Sequence, residues 1–206
     1  MKNILVLLSL VVTLILANDF DKAFEAYENS DYKTMITILQ PLADQRNAEA
    51  QYALGFIYHQ GLGVEQDFSK AIKWYEKAAE QGFVTAQTDL GYMYEYGDGV
   101  EQDFLKAIKW YEKAAEQEYA PAQYYLGIMY ESGKGVEQDF SKAIKWYEKA
   151  AEQGFAEAQF NLGEMYVNGL GVEQDYLKAK EWFKKACYVG DKDGCEAYER
   201  LNKQGY

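Results

Sequence analysis

The sequence predicts an all-α solenoid of tandem 36-residue helix-turn-helix repeats, and three observations predict it. Compared with itself at a lag of 36, the chain gives four full copies, beginning at Ala48, Val84, Ala120 and Ala156. Within each copy the apolar residues follow the three- and four-residue spacing of amphipathic helices. Composition agrees: 16% aromatic residues, 17 Gly and only 2 Pro suit a packed helical protein with many tight turns, not a disordered acidic chain.

Taken in order, the chain opens with a single Lys2, an apolar run from Ile4 to Leu16, then Ala17 and Asn18. Residues 1–17 therefore read as a secretory signal peptide. The alternative is an uncleaved anchor, but about 14 apolar residues at roughly 1.5 Å each span about 21 Å, short of the roughly 30 Å hydrocarbon core. No stable membrane anchor is expected after cleavage, and the chain is expected to be exported to the periplasm or secreted. Losing Lys2 takes the formal charge from -12 to -13. Such an acidic chain repels phosphate backbones, so no nucleic-acid partner is expected and a basic partner is favoured.

Residues 18–47 read as a divergent helix pair. Four repeats follow over 48–191, at 48–83, 84–119, 120–155 and 156–191, and residues 192–206 form a capping helix. In the first copy, helix A (AEAQYALGFIYHQ) sets Ala50, Leu54, Ile57 and Tyr58 on one stripe, while Gly55 leaves room for close approach of a partner helix. Gly61 and Gly63 serve the turn, and Asp67 offers a side-chain oxygen to cap helix B. Helix B buries Phe68, Ala71, Trp74, Tyr75 and Ala78, with Lys70, Lys73, Glu76 and Lys77 solvated. Gly82 ends it; Glu118 at the same place in the second copy is a weaker cap. Pro121 falls in a first helical turn, where a missing N–H is harmless. Such pairs cannot bury both faces alone, so the copies must stack. In the last helix Tyr198 and Glu199 stand where Leu54 and Gly55 would be, which suits a polar outer cap.

The pattern A-E-A-Q-Y-x-L-G-x-x-Y, a G-x-G-V turn, and D-F-x-K-A-x-x-W-Y-x-K-A-A-E-Q-G resembles the Sel1-like repeat family, relatives of the tetratricopeptide repeats. The resemblance covers Ala48 to Asp191 closely and the flanks loosely. It implies a right-handed α/α superhelix whose members mostly serve as adaptors and scaffolds in protein complexes.

Cys187 and Cys195 replace an Ala and a Gln that recur in the other copies. A bridge between them would pin the terminal cap to the fourth repeat, closing a loop of about 8 residues and contributing roughly 2 to 3 kcal/mol. A redox-active pair or a metal site is the alternative, although no His stands nearby to complete a zinc pattern. The spacing resembles the cysteine-rich Sel1-like proteins of Helicobacter, in which every repeat carries a bridge; here only the last does.

No catalytic constellation emerges, and no cofactor or metal is expected. His59 is the only His, and it reads as a solvent-facing helix-end residue. Penicillin-binding and β-lactamase activity has been attributed to the cysteine-rich relatives, and Ser30-Asp31-Tyr32-Lys33 matches S-x-x-K. The S-D-N and K-T-G elements that such enzymes need are absent, so Ser30 or Asp31 reads as a helix cap.

Helix B repeats almost unchanged, whereas helix A varies at four aligned positions. Phe56 and His59, then Asp89, Tyr92, Glu95 and Tyr96, then Tyr125, Ile128 and Glu131, then Asn161 and Glu164 fall on these positions and are expected to bind the partner. In the families resembled, helix A lines the concave side. The expected function is thus a protein-interaction module or scaffold, with a basic protein or peptide held among Tyr and Phe anchors. Two other readings stand: a β-lactamase-like hydrolase, and a periplasmic immunity or inhibitor protein. The variable positions also admit a plainer account, surface drift after duplication.

Overall fold

A computed structural model describes residues 18–206; the expected leader over 1–17 lies outside the described residues. Every regular element among them is a helix. Residues 18–28 form α1, followed by α2 (Tyr32–Asp44). Four A/B pairs come next: α3 (Ala48–Gln60) with α4 (Phe68–Glu80), α5 (Val84–Tyr96) with α6 (Phe104–Ala115), α7 (Ala120–Ser132) with α8 (Phe140–Glu152), and α9 (Ala156–Asn168) with α10 (Tyr176–Tyr188). The last helix is α11 (Lys192–Lys203). None of these helices is long and apolar enough to cross a membrane. The chain divides into two compact units, one ending at Leu90 with Asp98–Val100 added, the other made of Gly91–Gly97 and Glu101–Tyr206.

In the first unit Ala23 of α1, Leu39 and Ala43 of α2, and Ala50, Leu54 and Ile57 of α3 form one buried cluster. Burying a Leu or Ile side chain in such a cluster contributes roughly 1.5–3 kcal/mol. Helix starts are secured by side chains. Asp31 accepts from the Thr34 side chain and N–H, and Asp67 from the Lys70 N–H, which holds both carboxyls below their ordinary range. Asp31, not Ser30, is thus the α2 cap, and Ser30 lies outside the helix in a left-handed turn at φ 57°.

The recurrent Gly of helix A is a docking notch. A Cβ on Gly55 would stand 2.5 Å from Cδ1 of Tyr75, and in the second unit Gly91, Gly127 and Gly163 meet Tyr111, Tyr147 and Phe183 in the same way. Each ring is fully buried against a helix with no side chain to push it out.

The recurrent Gln has an equally specific task. Gln51 Nε2 donates to the carbonyl of Ala43, and Gln87 to that of Ala79, at 2.9 Å each. In the second unit Gln123 reaches Ala115 and Gln159 reaches Ala151. A buried Gln side chain thereby adds a second hydrogen bond to a carbonyl at the end of the preceding helix, which already accepts from the backbone N–H three residues on. Cys195 and Cys187 occupy this same pair of positions, eight residues apart, and are joined by a disulfide. The last junction replaces a hydrogen bond with a covalent one.

Beyond it α11 is capped by Asp191, packs Ala197 and Leu201 inward, and leaves Glu199 and Lys203 exposed. Where Gly82 and Gly154 turn the chain at positive φ, the second copy does so with Glu118 at φ 59°, a costlier residue for that conformation.

Candidate functional site

In the first unit Phe56 and His59 leave α3 on its less buried side. Phe56 lines an open apolar cavity of about 500 Å³ together with Tyr52 and Phe83, facing Phe20, Phe24 and Tyr27 of α1. His59 is not solvent-facing as expected. Its ring lies partly buried, edge-on to Phe68 at 5.4 Å and to Tyr75 at 6.1 Å between centroids. The helix end turns it inward against the following helix B. Asp89 is also partly buried; burial pushes its carboxyl up to about 6, opposed by a hydrogen bond from Tyr52.

In the second unit Tyr92 and Tyr96 sit one turn apart on α5, their rings tilted against each other at 4.4 Å between centroids, and are 39% and 54% exposed. Tyr92 also meets Tyr125 of α7 edge-on at 6.4 Å, and Tyr125 stacks on the buried Tyr111 at 5.0 Å. An exposed aromatic pair therefore stands against half-buried Tyr125, which rests on buried Tyr111. Ile128, Glu131, Asn161 and Glu164 are all partly buried along α7 and α9. Asn161 hydrogen-bonds Tyr124 and Tyr147, and Glu164 pairs with Arg200 of α11 at 3.6 Å.

Glu95 departs from the expectation of a surface contact. It is 1% exposed, accepts from the Tyr111 hydroxyl at 3.0 Å through Oε2, and pairs with Lys134 at 2.9 Å through Oε1. Glu95 lies closer to the packing face of α5 than Tyr92 and Tyr96 do, and helix B covers it. Glu131 plays the same part for the Tyr147 hydroxyl. Both rings are held well above the ordinary tyrosine range, by burial first and by the adjacent carboxylate. The Lys134 ammonium is raised by its bond to Glu95.

Sequence reasoning missed this coupling, although the copies carry its signal. Glu95 and Glu131 accompany Tyr111 and Tyr147, whereas Val167 accompanies Phe183: hydroxyl and carboxylate vanish together. The aromatic cavity was missed too, because α1 lies outside the repeat and its aromatics had no copy to be compared with.

The class of protein defined by these elements is a tandem helix-pair repeat protein with an all-α solenoid fold. The Sel1 repeat model matches residues 48–83, 84–119, 120–155 and 156–191, and the chain belongs to the Sel1 repeat family. Among solved structures it is similar to a protective antigen of uropathogenic Escherichia coli with this fold, at 39% identity and a TM-score of 0.80, over 82% of this chain and 36% of that one. The chain thus spans little more than a third of that antigen's length. A Sel1 repeat protein from Oxalobacter formigenes is 33% identical with a TM-score of 0.77, over 90% of this chain and 85% of that one. Cysteine rich protein B of Helicobacter pylori is 30% identical with a TM-score of 0.51, over 64% and 94%. No curated protein matches the chain.

Proposed function

We propose that this chain works outside the cytoplasm as an interaction module that holds a basic protein segment on the helix-A surface of its repeats. The carrying observation is the exposed Tyr92–Tyr96 pair against half-buried Tyr125, which rests on buried Tyr111. Tyrosines anchored in this way offer large apolar area at low entropic cost, the chemistry of interface hot spots. Ile128, Asn161 and Glu164 extend that surface on α7 and α9. In the first unit Phe56 provides a corresponding position. A net charge of -12 favours a cationic segment.

Export is supported by the apolar leader in the sequence and by the Cys187–Cys195 bridge, since disulfides persist in oxidising compartments. The division into a leader at 1–17, a helix pair at 18–47, repeats at 48–191 and a cap at 192–206 belongs to this reading. Binding rather than catalysis is favoured because the carboxylates with buried surroundings are occupied by tyrosine hydroxyls.

Affinity capture from the native envelope, read by mass spectrometry, tests the proposal. Tyr92→Ser with Tyr96→Ser should abolish capture of the partner and leave the melting temperature within a few degrees. Tyr125 is spared because its ring supports Tyr111. Capture that survives the double substitution overturns the proposal.

A further inference from the structure

The cavity of the first unit has a composition that nothing in the repeat demands. Tyr52, Phe56 and Phe83 come from the first repeat and its exit, Phe20 and Phe24 from α1. Phe24 is 61% exposed, an uncommon position for so large an apolar side chain with no partner to cover it. About 500 Å³ falls within the roughly 300–1,000 Å³ range of ligand clefts. The charges that line it are both negative: Asp21 from α1 and Glu49 from α3, each exposed to solvent. No cation lines it.

We infer that this cavity is a docking site for a peptide segment of the partner carrying an aromatic or long aliphatic side chain with a Lys or Arg beside it. The apolar walls take the anchor. The two lining carboxylates take the flanking cation; a purely apolar occupant would leave them without a counter-charge, and an acidic one would meet like charge. Phe24 then acts as the edge of the pocket that closes over the anchor. The inference rests on the reading of the chain as a binding module, but it concerns a different surface from the Tyr92–Tyr96 pair.

The probe is a phage-displayed library of random seven-residue peptides selected on the purified chain, with the enriched sequences then synthesised and titrated by calorimetry. Enrichment of an aromatic or Leu next to Lys or Arg is expected. Phe24→Ser should weaken those peptides by about tenfold or more, as loss of an interface anchor does. Asp21→Asn with Glu49→Gln should weaken them several-fold and flatten their salt dependence. Tyr92→Ser with Tyr96→Ser should leave them unchanged. Because Asp21 and Glu49 are exposed, the charge variant keeps the test open even if Phe24→Ser lowers the melting temperature. No enrichment, enriched sequences without a cation, or peptides sensitive only to the Tyr92 and Tyr96 substitutions each overturn the cavity proposal; the last outcome leaves the module reading standing. Concentration-dependent dimers dissolved by Phe24→Ser, seen by light scattering, would assign the cavity to a second copy and overturn it as well.

Discussion

Tyr75 in the first unit and Tyr111 and Tyr147 in the second occupy the same place in their repeats, yet only the second unit gives its ring hydroxyls an acceptor. Tyr111 donates to Glu95 and Tyr147 to Glu131, while the Tyr75 hydroxyl is buried without a protein partner because His59 stands where the carboxylate would be. The fourth repeat resolves the matter differently: Phe183 has no hydroxyl and Val167 no acceptor. The difference separates two requirements. The ring's shape, received by the helix-A glycine, is common to both units. Its polar end is a local arrangement that each repeat completes, omits or leaves open.

The largest expected effect would break the common requirement. Gly55→Ala in the first unit and Gly127→Ala in the second each push a methyl into a fully buried ring, and each should cost about 2 to 3 kcal/mol despite the better helix propensity of Ala. Urea denaturation would measure this, and a cost in only one unit would show that the notch is not shared. The next effect sharpens the polar difference. Tyr111→Phe should lose about 1.5–3 kcal/mol, because a hydrogen bond to a charged acceptor goes and Glu95 stays buried. Tyr75→Phe should be neutral or gain a few tenths. Equal losses at the two sites would mean that the Tyr75 hydroxyl has a partner in solution.

The smallest effect concerns Asp89, which is aligned with Asn161 of the fourth repeat. Its carboxyl lies at about 6 against an ordinary 3.8, raised by burial and partly countered by the Tyr52 hydrogen bond, so the folded chain holds this proton more tightly than the unfolded one. Its contribution is therefore most favourable below pH 3.8 and declines as pH rises through about 6. Asp89→Asn keeps an acceptor for Tyr52 and should stabilise the protein by about 1 kcal/mol at pH 7.5, with the gain disappearing near pH 4. Denaturation curves at the two pH values decide it, and a gain of equal size at both would remove ionisation as the cause.

The helix pairs, their caps and the notch at Gly55 were legible because four copies repeat the same solution. Asp67 and its equivalents announced the helix starts, and the disulfide partners were legible as the one pair that departs from the repeat together. The surface was legible only in part. Tyr92 and Tyr96 are exposed as the spacing of helix A suggests, but Glu95 and His59 are turned inward, because helix periodicity gives a residue's bearing and not the height of the neighbour that covers it. The cavity beside Phe56 was illegible for another reason: five of its twelve lining residues come from α1, which no repeat resembles.

By itself, then, the sequence determined the element order, the repeat length, the caps and the family, since each depends on contacts within about 40 residues that recur four times. Tertiary structure alone decided which variable positions are free. Whether a carboxylate faces water or a tyrosine hydroxyl depends on the helix lying across it, as Glu95 does under Tyr111 and Lys134. It also decided that Gln51 and its equivalents bond the last carbonyls of preceding helices, and that Cys187 and Cys195 bridge the same two positions, because only packing brings the start of one helix against the end of the last.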